Sequence, residues 1–222
     1  MLDWTAPAGK MLKTLVAALP AAYHFDITVF GSAPLQLAID RYFASADVDI
    51  FSDDDFSDLI RELGLGKGQR RFYLEQVRPG VFRTTMNWRH RAHTVELGNV
   101  TLHFPHPIDI LISKIHRLAP KDLRAFRMVR KKTGFPREKD LIRGLQEATD
   151  LYRAPLPGER PSGDMFANTQ KVWRELFGRS IDVQKRIIEP VLAERAEAYG
   201  LNLPDWKRRV ARLRPPKRKR QR

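Results

Sequence analysis

The sequence predicts an α+β protein: a mixed α/β sheet core in its N-terminal half, followed by a C-terminal helical domain. Three observations predict this. Short apolar β runs alternate with helix-length segments as far as Phe104. After Pro107 every remaining segment has helical spacing. Proline and glycine punctuate the segments in both halves. The expected boundaries are 1–106 for the core, 107–213 for the helical domain and 214–222 for a basic, disordered tail.

The elements follow in order. Residues 10–19 (KMLKTLVAAL) have helical apolar spacing and stop at Pro20. Ile27 to Phe30 is a short apolar β run. Pro34 to Tyr42 reads as a helix, with proline in the first turn, where a missing N–H costs little. Val48 to Phe51 is a second strand. Ser52 reads as an N-cap, with Asp53, Asp54 and Asp55 in the first turn of a helix reaching about Leu63. Arg71 to Val77 and Val81 to Thr85 read as strands around the turn Arg78-Pro79-Gly80. His93 to Leu97 and Val100 to Phe104 form a hairpin about Gly98-Asn99. Helices are then expected over Ile108–Leu118, Lys121–Lys132, Arg137–Tyr152, Asp164–Gly178, Ile181–Tyr199 and Pro204–Leu213, with a loop at Ala154–Gly163.

Composition limits the function. With 222 residues, 42% of them apolar, the chain can bury a core of one or two domains. The absence of cysteine excludes disulfides and thiolate zinc sites. No run of about 18 apolar residues exists, so no membrane helix is expected. The N-terminus lacks the basic-then-apolar layout of a signal peptide, so a cytoplasmic location is expected. The net charge of +14 is concentrated in two blocks. Residues 207–222 hold ten Lys/Arg and no acid, and residues 114–143 hold eleven Lys/Arg against three acids. Such blocks attract polyanions, with RNA or DNA phosphate the commonest candidate. A solvated helix face and a solubilising tail are the plainer alternative.

Three features mark a candidate site. Gly31-Ser32 ends the first strand and opens a helix, where glycine admits a phosphate to the backbone and serine adds a hydroxyl. Asp47 and Asp49 alternate with Val48 and Ile50, so both carboxylates share one face of the second strand. Like charges so placed call for a cation. Glu96, in Thr94-Val95-Glu96-Leu97, occupies the polar face of its own strand and is expected to complete a three-carboxylate cluster. Such a cluster can hold Mg²⁺ (or Mn²⁺) against a triphosphate. Asp109, in the first turn of a helix, is the less favoured third acid.

Phe30-Gly31-Ser32, a helix, then Asp47-Val48-Asp49 resembles the signature of the DNA polymerase β-like nucleotidyltransferase superfamily. Pro107-Ile108-Asp109-Ile110-Leu111-Ile112-Ser113-Lys114, followed by Lys121-Asp122-Leu123, is similar to the AbiEii-type toxin and related small nucleotidyltransferases. The resemblance covers roughly residues 25–128. It implies a nucleotidyltransferase-like core and transfer of a nucleoside monophosphate from an NTP to a hydroxyl. It also implies metal held by Asp47, Asp49 and Glu96, phosphates held by Gly31 and Ser32, and Lys114 reaching the triphosphate. RNA, including tRNA, is the expected acceptor. A cognate antitoxin is an expected partner if the chain is a toxin. Ala125 and Phe126 stand where relatives commonly carry another acid, and Ala-Pro follows Gly-Ser instead of a second glycine.

Other residues carry less. Arg41 reads as a surface arginine. His90, His93, His103, His106 and His116 show no metal-ligand spacing. Gly64-Leu65-Gly66-Lys67-Gly68 lacks P-loop spacing and reads as a loop. Trp88, flanked by Arg83, Arg89 and Arg91, is either a base-stacking side chain or, in preference, a structural one. Two further functions fit the same residues: a non-catalytic nucleic-acid binder and a transferase whose acceptor is a protein hydroxyl.

Overall fold

A computed structural model describes residues 2–43, 47–153 and 163–199. The expected helix at Pro204–Leu213, the basic tail and nearly all of the Ala154–Gly163 loop lie outside them.

Five strands form one sheet: β1 (Phe25–Val29), β2 (Asp47–Phe51), β3 (Tyr73–Gln76), β4 (His93–Leu97) and β5 (Val100–Phe104), in the order β3-β2-β1-β5-β4. β1 runs antiparallel to β2 and parallel to β5. β2 and β3 are parallel, and β4 and β5 form the expected antiparallel hairpin. The sheet is therefore mixed.

Alternation splits it into two faces. Ile27, Val29, Val48, Ile50, Leu74, Val100 and Leu102 are buried on the apolar face. They pack with Leu12 and Leu15 of α1 (Pro7–Ala18) and with Phe56 and Ile60, at the start of and within α3 (Ser57–Glu62). Register carries Asp47, Asp49, Phe51, Thr28, Asp26, Thr101, His103 and Glu96 onto the other face.

Between β1 and β2 lies the short α2 (Ala33–Ala38). A second hydrophobic cluster lies among α5 (Pro107–Arg117), α6 (Pro120–Thr133), α7 (Glu138–Glu147) and α8 (Met165–Phe177), and Leu35 of α2 joins it. The helix expected at Ile181–Tyr199 is a π turn, Gln184–Ile188, running into a terminal helix, Glu189–Ala198. Pro190 lacks the N–H that would continue a regular ladder there.

Two expectations are corrected. Ser52 does not cap a helix. Its hydroxyl donates to the Asp26 carbonyl at 2.8 Å, tying β2 to β1, and the helix starts only at Ser57. Val81–Thr85 is not a strand: a 3₁₀ turn, Pro79–Val81, leads the chain off the sheet edge to a one-turn α4 (Trp88–Arg91). Side-chain contacts decide this path. Phe82 stacks on Phe30, and the Thr85 hydroxyl donates to Asp109.

Candidate active site

The site forms where β1 ends beside the start of the antiparallel β2. The Phe30 N–H donates to the Asp49 carbonyl at 2.8 Å, which sets the Gly31 turn against Asp49. Gly31 has φ +64°, and a Cβ there would collide with Asp49 Oδ2. Glycine is required twice over: for its left-handed backbone and for the space that the carboxylate fills.

Asp47 and Asp49 share the polar face of β2, as alternation requires. β3 pairs in parallel with β2 so that Glu75 stands directly beside Asp49. Burial is the main cause that raises the Asp49 carboxyl, to a pKa of about 6, and repulsion from Asp47 and Glu75 adds to it. Arg117 and Lys114 oppose the rise.

Lys114 meets this corner from the helical side. It is buried near the end of α5, and its Nζ donates to Ser32 Oγ at 2.9 Å and to Asp122 Oδ1 at 3.2 Å. Burial lowers the Lys114 pKa, and the Asp122 carboxylate pulls it back up. Asp122 has zero exposure and a double task. Its Oδ2 accepts from the Ala119 N–H at 2.8 Å, capping α6, while Oδ1 holds the lysine. Leu118, with φ 41°, makes the tight corner between α5 and α6 that brings the two together. Lys-Asp-Leu thus orients Lys114 toward Ser32.

The structure brings Gly31, Ser32, Asp47, Asp49 and Lys114 into one region; it does not bring Glu96 there. Glu96 shares the sheet face, but β1 and β5 intervene between β4 and β2. At about 4.8 Å per strand, this is a lateral separation of about 14 Å. Its carboxylate accepts from the Thr101 hydroxyl at 2.9 Å, and Thr101 also meets His24 Nε2 at 2.9 Å. The expected adjacency of Glu96 and the aspartates is therefore corrected: Glu75 is the neighbouring acid. Its signal was the alternation of Tyr73-Leu74-Glu75-Gln76, which puts Glu75 on a polar face.

Asp109 is removed as well. It is fully buried, receives Arg91 Nη2 at 2.8 Å and the Thr85 hydroxyl at 2.6 Å, and helps fix the chain before β4 onto α5. Arg91 Nη1 also reaches Glu147 on α7 at 2.6 Å. Trp88 meets Phe30 and Phe82 edge-to-face, and the Arg89 guanidinium covers it at 5.0 Å. Arg41 pairs with Asp3 at the surface. His106 caps α5, and His103 bonds Asp26 at 2.9 Å.

Among the described residues, no three acidic or imidazole side chains converge to enclose a metal ion. A magnesium ion does not need such a cage: one or two carboxylates suffice when substrate phosphates and water complete its shell. Asp47 and Asp49 supply hard oxygen donors on one face, and a cation there would offset the burial, and the lesser repulsion from Asp47 and Glu75, that raise the Asp49 pKa. The residues fit the group.

Beside Ser32 opens a pocket of about 680 Å³ between α6 and the loops before β2 and β3. Arg71, Lys121, Arg124, Arg127 and Lys131 line it, with Tyr42, Phe43 and Phe72.

No described helix is long and apolar enough to cross a membrane. No curated protein and no solved structure matches the chain. A family model described as "Nucleotidyltransferase of unknown function (DUF6036)" matches residues 11–137, which include Gly31-Ser32, the aspartate pair, Lys114 and Asp122. The chain belongs to that nucleotidyltransferase family.

Proposed function

We propose that the protein transfers a nucleoside monophosphate from an NTP to a hydroxyl of RNA, with Mg²⁺ (or Mn²⁺) as cofactor. One observation carries this reading: Asp49, with Asp47 on the same strand face, sits against Gly31, and a buried lysine meets the hydroxyl of Ser32.

Asp47 and Asp49 would hold the metal. When bound, the metal neutralises triphosphate charge and lowers the pKa of the attacking hydroxyl. Gly31 leaves the turn's backbone open to phosphate oxygens, and Ser32 orients them through its hydroxyl. The acceptor oxygen attacks the α-phosphorus as the bond to the α,β-bridging oxygen breaks and pyrophosphate leaves. Lys114 stabilises the charge that grows on the leaving group, and Asp122 keeps its ammonium aimed at Ser32. Glu75 is the adjacent carboxylate able to take up the hydroxyl proton. Most of the acceleration comes from alignment and electrostatics.

The test is incubation of the protein with Mg²⁺, each labelled NTP and total RNA. Label moves to RNA with wild type, and Asp49→Ala abolishes the transfer. No transfer by wild type, or full transfer by the variant, overturns the reading. Label appearing on protein instead would assign the alternative acceptor. The order of Lys114 and Lys121-Asp122-Leu123, similar to AbiEii-type toxins, supports a toxin role with a cognate antitoxin. Growth arrest on expression, relieved by Asp49→Ala, checks that role.

A further inference from the structure

We infer that the exposed face of α6, together with Arg71, is a docking channel for single-stranded RNA, with Tyr42 as a stacking platform at its rim. The inference takes the identity of the polyanion from the proposed function. The channel itself rests on separate observations.

Lys121, Arg124 and Lys131 lie on the α6 wall of the pocket, and Arg71 reaches in from the loop before β3. None of these four cations makes an ion pair among the described residues. Asp40, the acid on the pocket wall, is already approached by Lys132 at 3.8 Å. A pocket lined by five cations and this one acid suits an anion.

Length decides which anion. Lys121 and Lys131 are ten residues apart on one helix, about 15 Å along its axis. A nucleotide whose phosphates sit at Ser32 meets the near end of that row only. A stacked strand advances about 3.4 Å per nucleotide, so the row matches roughly four backbone phosphates. The rim adds a second signal. Tyr42 is 84% exposed beside these cations, and the Arg41 guanidinium lies 5.8 Å from its ring centre. An exposed ring next to a cationic groove is the arrangement that stacks unpaired bases and tracks a backbone.

The test measures binding without chemistry. A labelled single-stranded RNA of about ten nucleotides is titrated with the full chain in EDTA across a salt series. Arg124→Ala/Lys131→Ala is expected to weaken binding about tenfold or more. It should lower the slope of log K against log salt by about 1.4, or 0.7 per cation. Tyr42→Ala is expected to cost roughly fivefold or more. Lys10→Ala/Lys13→Ala, which removes equal charge from α1, changes neither quantity beyond its general charge effect. Binding of a non-hydrolysable NTP with Mg²⁺ stays near wild type in the α6 variant. Unchanged RNA affinity in that variant overturns the inference. So does loss of NTP binding with RNA binding kept, which would give the pocket to the nucleotide. Polyglutamate competing as well as RNA would overturn it too. Because no transfer is measured, an inactive wild-type enzyme leaves this readout intact.

Discussion

The two ends of the sheet carry acids on the same face and treat them in opposite ways. Toward the β4–β5 end, Glu96 on β4 and Asp26 on the neighbouring β1 are met by Thr101 and His103 of β5, each at 2.9 Å. At the β2–β3 end, Asp49 has Asp47 on its own strand and Glu75 across the ladder, and its carboxyl is raised to about 6. At one end the acids are hydrogen-bonded by their own neighbours. The other concentrates negative charge beside a turn whose hydroxyl is held by a buried lysine. Acid content alone does not mark a site; a buried carboxyl with a perturbed pKa beside other acids does so better.

The largest effect that sharpens this contrast is expected from Asp49→Asn. Transfer activity should fall by more than about a hundredfold, since a coordinating carboxylate supports several kcal/mol of charge stabilisation. The metal-free fold should meanwhile gain stability. The folded pKa of about 6 lies above the ordinary aspartate value of 3.8, so the wild-type fold loses stability as pH rises between those values and regains it below them. The difference amounts to about 3 kcal/mol at neutral pH, an upper figure because Asp49 keeps some solvent contact. Urea unfolding of wild type and variant at pH 4 and pH 7.5 checks the sign: the gain should appear at the higher pH only. If Asp49 gains no partner cation, added Mg²⁺ will not raise wild-type stability at pH 7.5, and the contrast collapses.

Next comes Lys114→Met. It leaves Asp122 fully buried with Arg117, at 3.5 Å, as its remaining cation among the described residues, and should destabilise by about 3 kcal/mol. Lys114→Met/Asp122→Leu should recover part of that loss in denaturant unfolding and none of the activity. Gly31→Ala forces φ +64° on a residue with a Cβ and pushes against Asp49. A loss of about 1–2 kcal/mol is expected, with reduced transfer. The smallest pair tests the two ends directly. Glu75→Gln should slow transfer at least about tenfold, as loss of a proton acceptor does. Glu96→Gln should leave transfer near wild type and shift stability by no more than about 0.5 kcal/mol. Equal effects from the two substitutions would erase the difference between the ends.

Much of the site was legible in the chain. Alternation alone put Asp47 and Asp49 on one face, and the Gly31-Ser32 turn was readable from its residue types. Lys114 and Asp122 stood out only through their likeness to a known motif. Their contact depends on the αL corner at Leu118, which no local preference of leucine announces. Glu96 was misjudged because a polar face can be read from one strand, whereas adjacency cannot. The β4–β5 hairpin could have added to β2; instead β5 pairs with β1. Glu75 was overlooked because residues 71–85 read as a hairpin, while Phe82 and Thr85 pull the second half away from the sheet.

Local sequence sufficed for the five strands (though not against a sixth at Val81–Thr85), for which side chains share a face, and for where the positive charge lies. These are local periodicities of backbone geometry and composition. Tertiary packing alone sets which acid stands beside Asp49, that Asp122 anchors Lys114, and that four cations with no ion pair among the described residues line one pocket. Strand order and helix docking are set by the summed burial of surfaces far apart in the chain, and no short window of sequence contains that sum.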